Sequence, residues 1–153
     1  PVFIRLGNRA RPYQEDMPPP GMGTLRNIAL SNIIATGAGE TGCSITGLPG
    51  HPVEHIVLRD VHIEFAGGGT HEQAERVPEE KPESYPEYKM FGPLPAYGFY
   101  LRHAKGIRMD GISLTTKTDD ARPAIAQEDV ENLTVNMLGD NTGVVSPEPS
   151  ETR

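Results

Sequence analysis

Four segments of the chain share one apolar spacing: Ile28-Ala-Leu30-Ser-Asn-Ile33, Ile56-Val-Leu58-Arg-Asp-Val61, Ile107-Arg-Met109-Asp-Gly-Ile112 and Leu133-Thr-Val135-Asn-Met-Leu138. In each, an apolar residue alternates once, two residues intervene, and an apolar residue returns. Alternation sends side chains i and i+2 to one face of a strand. The longer step that follows requires a corner. Asn32, Asp60 and Gly111 stand at three of the four corners, and these residue types tolerate left-handed backbone. Met137 stands at the fourth and fits less well.

A short β-type run precedes each segment: Val2–Leu6, Cys43–Thr46, Gly98–Arg102 and Ala124–Ala126. The order strand, loop, strand, corner, strand therefore recurs four times. The repeat length varies while the strand pattern holds, which means insertions at one loop of a repeating architecture. The expected fold is all-β, a parallel β-helix (solenoid) of about four partial coils. Ile28, Ile56, Ile107 and Leu133 form one column, and Leu30, Leu58, Met109 and Val135 the next. An antiparallel sandwich also has short strands and frequent turns. It has no reason to repeat one corner four times.

The partial β-helix is expected over 1–143. Residues 66–96 read as one long insertion, the kind of loop that is functional or disordered. Residues 9–24 read as an irregular loop and 144–153 as a disordered tail. Gly67-Gly68-Gly69 is not a phosphate loop, because no Lys-Ser/Thr follows and no helix start is evident.

The 17 glycines and 15 prolines fit a turn-rich domain. A net charge of −7 favours neither nucleic acid nor an anionic membrane. No apolar run is long enough for a spanning helix, and no signal peptide opens the sequence. The single cysteine, Cys43, excludes an internal disulfide framework. It reads as a small buried hydrophobe. His51 and His55 are four apart, which suits a zinc pair only on a helix, and Pro52 intervenes. Neither a metal nor another cofactor is expected.

The runs PVFIRLGNR, CSITGLPGHPVEHIVLRDVHIEFAGGG and MFGPLPAYGFYLRHAKGIRMDGISL resemble the C-terminal coils of bacterial proteins of the polygalacturonase family, glycoside hydrolase family 28. The resemblance spans roughly residues 1–138. It implies a right-handed parallel β-helix, and inverting hydrolysis of galacturonate linkages in pectin or rhamnogalacturonan. It also implies an extracellular or periplasmic setting and a role in cell-wall degradation. The family's catalytic coils carry Asn-Thr-Asp, an Asp pair after Gly, Gly-His-Gly and Arg-Ile-Lys. None occurs here, and in the family they precede the segment that PVFIRLGNR resembles. The catalytic carboxylates are thus expected upstream, leaving this chain inactive alone. The alternative is a non-catalytic β-helix module that binds acidic glycans or assembles.

Inverting hydrolysis needs two carboxyl groups about 6.5–9.5 Å apart. Asp119 and Asp120 are adjacent and are expected to shape a turn, so no catalytic residue is assigned. By the resemblance, the end of the Val2–Leu6 strand borders the cleft. Arg5, Asn8 and Arg9 are therefore candidates to bind a pectic polysaccharide or oligogalacturonide, an Arg fork suiting a uronate carboxylate. The bland reading pairs such an Arg with an acid on the next coil. Arg102 and His103 either extend the same groove or form a solvated strand end. Tyr85, Tyr88, Phe91 and Tyr97 stack on sugars or staple the insertion to the sheet. An open β-helix end exposes unpaired backbone and apolar groups. End-to-end self-association, or a strand swap, is accordingly expected through Val2–Leu6.

Overall fold

The computed structural model describes residues 1–139 and, as backbone, Val144–Val145. The elements are β1 (Phe3–Arg5), β2 (Arg26–Ala38), β3 (Cys43–Thr46), β4 (Val53–Phe65), α1 (His71–Ala74), β5 (Phe99–Thr116), β6 (Ile125–Met137) and β7 (Val144–Val145). The strands form one curled sheet in the order β1-β3-β5-β4-β2, with β6 beside β5 and β7 beside β6. Every ladder between these strands is parallel, unlike those of an antiparallel sandwich. The first part of β5 carries β3 and its remainder carries β4, so one long strand joins both series.

Register follows the apolar spacing. Ile28 pairs with Ile56, Ile56 with Ile107, and Ile107 with Leu133. Leu30, Leu58, Met109 and Val135 align likewise. The inner members Ile56, Leu58, Ile107 and Met109 are fully buried, whereas Ile28, Leu30, Leu133 and Val135 at the two outer strands are partly buried. The core lies inside the curl, lined by these rows and by Ile4, Ile45, Phe99, Leu101 and Ile125. Cys43 belongs to this core, and burial pushes its thiol pKa up.

The curl comes from left-handed residues inside the strands. Asn32, Asp60 and Gly111 have φ of 56°, 53° and 65°, as the corner spacing predicts. Asn27, His55, Gly106 and Asn132 form a second aligned bend, with φ of 60°, 54°, 67° and 55°. His103 and Asp129 form a third. Asn, Asp, His and Gly are the residues that reach this region at least cost. Met137 does not bend. Without that left-handed residue β6 slips by one against β5, so Met137 rather than Leu138 pairs with Ile112, and Leu138 is exposed.

Residues 66–96 contain no strand. A helix does start after the glycines, contrary to the sequence reading. Thr70 caps α1, accepting from the Gln73 N–H while the Gln73 side chain accepts from the Thr70 N–H. The Thr-x-x-Gln capping box carried that signal. Of the expected tail, Val144–Val145 pair with Ile125–Ala126. The remaining tail residues lie outside the described residues.

One buried clamp gathers the loops at this end of the sheet. Asp120 and Arg122 form a bidentate pair, Nε–Oδ1 2.9 Å and Nη2–Oδ2 2.8 Å, with both side chains 1% exposed. Asp120 also accepts from the N–H groups of Gly69 and Arg122, and Arg122 donates to the carbonyls of Glu40 and Leu94. A Cβ on Gly69 would stand 2.1 Å from Arg122 Nε, so only glycine fits there. Of the adjacent Asp119 and Asp120, the Asp120 carboxylate thus organises the loop leading into β6.

Candidate functional site

The inserted segment folds over the outer face of the short strands. Phe3, Tyr100 and Ala126 point away from the inner core, and Met90, Phe91, Leu94 and Ala96 cover them. This second apolar layer explains why the start of β5 is buried on both faces.

Three of the five candidate residues meet beneath that cover. Arg5, Thr46, Arg102 and Glu128 are in register across β1, β3, β5 and β6. Thr46 stands between the two arginines, which sets their backbones two strand spacings apart, roughly 10 Å. Arg102 pairs with Glu80 at 2.6 Å and Glu128 at 3.1 Å, and donates to the Pro78 carbonyl at 2.6 Å. His103 lies between Glu80, 2.7 Å from Nε2, and Asp129, which meets Nδ1. Arg102 and His103 are buried, so the reading as a solvated strand end does not hold.

Arg5 donates to the carbonyls of Gly47, at 2.7 Å, and Glu80, and its guanidinium lies 5.2 Å from the centre of the Phe91 ring. Its partners are backbone carbonyls and a hydroxyl, not an acid on the neighbouring strand. Burial lowers the Arg5 pKa, with Arg102 adding to that and Glu80 opposing it. Tyr100 donates to Glu128 at 2.8 Å. Burial pushes its hydroxyl pKa up against the pull of Arg102, and Glu128 and Glu80 push it further.

The other two candidates lie beyond β1. The Asn8 N–H donates to the Pro82 carbonyl at 2.7 Å, and the Arg9 guanidinium stands 5.0 Å from the centre of the Tyr85 ring. The Arg9 Nε is buried without a hydrogen-bond partner among the described residues. The four aromatic residues divide. Phe91 is buried in the outer layer and Tyr97 packs edge-on against Phe65, whereas Tyr85 and Tyr88 are exposed.

Chemically, the cluster is a charge-compensated latch. Two arginines and a histidine from the sheet grip carbonyls and one carboxylate of the segment around Pro78–Pro82. Sequence reasoning singled out the cations and missed Glu80, Glu128 and Asp129. Glu128 and Asp129 were discoverable from register, because they stack beside Arg102 and His103. Glu80 had no such signal, since it sits in a segment without repeat. Among the described residues no group of three or more His, Cys, Asp or Glu is placed to hold a metal. Among the described residues no helix is long and apolar enough to cross a membrane.

Glu80→Ala removes the carboxylate shared by Arg102 and His103. Hydrogen bonds to charged groups are each worth about 1.5–3 kcal/mol. Limited proteolysis should therefore cut the variant between residues 78 and 91 at least about tenfold faster than wild type. Equal cleavage rates would show that the apolar cover alone holds the segment.

No protein-family model, curated protein or solved structure matches the chain.

Proposed function

We propose that the chain forms the last coils of a right-handed parallel β-helix in a secreted, polygalacturonase-like glycoside hydrolase, with the catalytic carboxylates on preceding coils. The observation that carries this reading is the in-register alignment of four apolar segments with a shared bend at Asn32, Asp60 and Gly111. A sheet that returns to the same column at variable chain intervals is what coil stacking requires. Asp120 is held by Arg122, which leaves the Asp119-Asp120 pair unsuited to inverting hydrolysis. Incubated with polygalacturonate, the chain is expected to release no reducing ends.

Within this reading the candidates take different parts. Arg5, Arg102 and His103 fix the inserted segment against the sheet. Asn8 and Arg9 contact the uronate, with the Arg9 guanidinium stacked on exposed Tyr85 and free of any ion pair among the described residues. A local cation is needed, because the overall charge of −7 opposes an anionic glycan. The deciding experiment is the intact mass of the native gene product. A product several hundred residues longer on the N-terminal side supports the hydrolase reading. A product of only these 153 residues overturns it.

Arg9, stacked on exposed Tyr85, also favours a second reading, a non-catalytic module that binds acidic glycans. Calorimetric titration with oligogalacturonate would then saturate, and Arg9→Ala would weaken it about tenfold, the loss of one charge-assisted contact. A flat titration of the wild-type chain removes the module reading.

A further inference from the structure

Two outer strands of the sheet, β2 and the part of β6 beyond Ala126, have one edge unpaired among the described residues. Their sequences complement each other position by position. If β6 of one copy lies beside β2 of another in the register that β6 already uses with β5, Leu133 falls on Ile28, Val135 on Leu30 and Met137 on Ile33. All six are apolar and only partly buried within one copy. The bends also match, because Asn132 and Asn27 are both left-handed. Met137 again lacks a counterpart to the bend, so Asn32 would bulge as Gly111 does now between β5 and β6.

Charge supplies an independent argument. Arg26, Glu54, Lys105 and Glu131 occupy one column, and their signs alternate along it. Lys105 and Glu131 form an ion pair of 2.9 Å. The column begins with an exposed cation at β2 and ends with an anion at β6, so a second copy continues the alternation. The same operation sets Arg5 of the arriving β1 on Glu128. β1 would take the place of β7, exchanging a two-residue strand for a three-residue one.

From this complementarity we infer that the chain assembles head to tail with further copies of itself, the β6 edge of one copy pairing in parallel with the β2 edge of the next. Opposite charges facing across a sheet stabilise and like charges destabilise. Because the two edges differ, the contact is heterologous, and each added copy presents a further edge to the next. The inference concerns this chain by itself: in the hydrolase reading a preceding coil would cover the β2 edge, so a longer product should not assemble this way, and the test has no catalytic readout.

The test is multi-angle light scattering of the whole chain over a hundredfold range of concentration, for wild type, Arg26→Glu and Glu131→Arg, with circular dichroism confirming that each is folded. Wild type should gain mass with concentration. Each variant alone opposes like charges and should need at least about tenfold more protein to assemble. An equimolar mixture of the two restores an opposite pair at every junction and should assemble like wild type. That rescue also excludes misfolding of either variant as the cause. A wild-type chain monomeric throughout, or variants that assemble as wild type does, would overturn the proposal.

Discussion

Arg122→Met should lower the stability of the chain by about 3–5 kcal/mol, the usual result of removing one partner of a buried ion pair. For a domain of this size that is a fall in melting temperature of roughly 10 °C or more. The reason is what remains behind. Asp120 would keep its two backbone N–H donors but lose the guanidinium that compensates its charge, in a place water does not reach. The carbonyls of Glu40 and Leu94 would lose a donor as well. The loops after β2 and before β5 would thereby separate from the turn that leads into β6. A cost below about 1 kcal/mol in thermal or urea unfolding would show that the clamp is not what holds these loops.

The same pair sets an acid limit. Burial alone would raise the Asp120 pKa, but hydrogen bonds from the Arg122 side chain and from the N–H groups of Arg122 and Gly69, together with the Arg122 charge, hold it below the usual carboxylate range. A carboxyl depressed on folding contributes stability that is complete above its unfolded value, about 3.9, and is lost as pH falls through the lower folded value. Asp120→Asn should therefore be less stable than wild type at neutral pH. The difference should shrink as pH drops below about 4, where wild type loses the same contribution.

Much of the sheet was legible because it is built from local pattern repeated in register. The corner at Asn32, Asp60 and Gly111 needed only the three-residue step and a tolerant residue type. The second bend was missed although Asn27, His55, Gly106 and Asn132 all tolerate it, because it lies before the apolar pair and apolar alternation does not mark the position. The latch was hidden for a different reason. Arg5 reaches the Glu80 carbonyl across 75 residues of chain, and Arg102 reaches that of Pro78 across 24. Partners in an insertion follow no period, so neither spacing nor charge pattern points to them. Cations at strand ends looked free for ligand because the segment that neutralises them could not be placed.

Substituting alanine along one apolar column should separate its inner and outer members. Ile107→Ala should cost about 2–5 kcal/mol, because the side chain is fully enclosed and its cavity has strands on both sides that limit collapse. Ile28→Ala removes the same atoms from the edge strand, where β4 is a neighbour on one side only. Less transfer energy is lost and solvent enters the space, so at low protein concentration the cost should be about half. Stacking of copies changes that comparison. With Leu133 of a second copy against Ile28, the side chain becomes an inner member, and the penalty for Ile28→Ala should climb toward that for Ile107→Ala as concentration rises. Urea unfolding of both variants at micromolar and at several hundred micromolar protein measures the two costs. Equal costs at low concentration would mean that the β2 edge is already covered within one copy. A gap that never narrows would mean that nothing stacks on it.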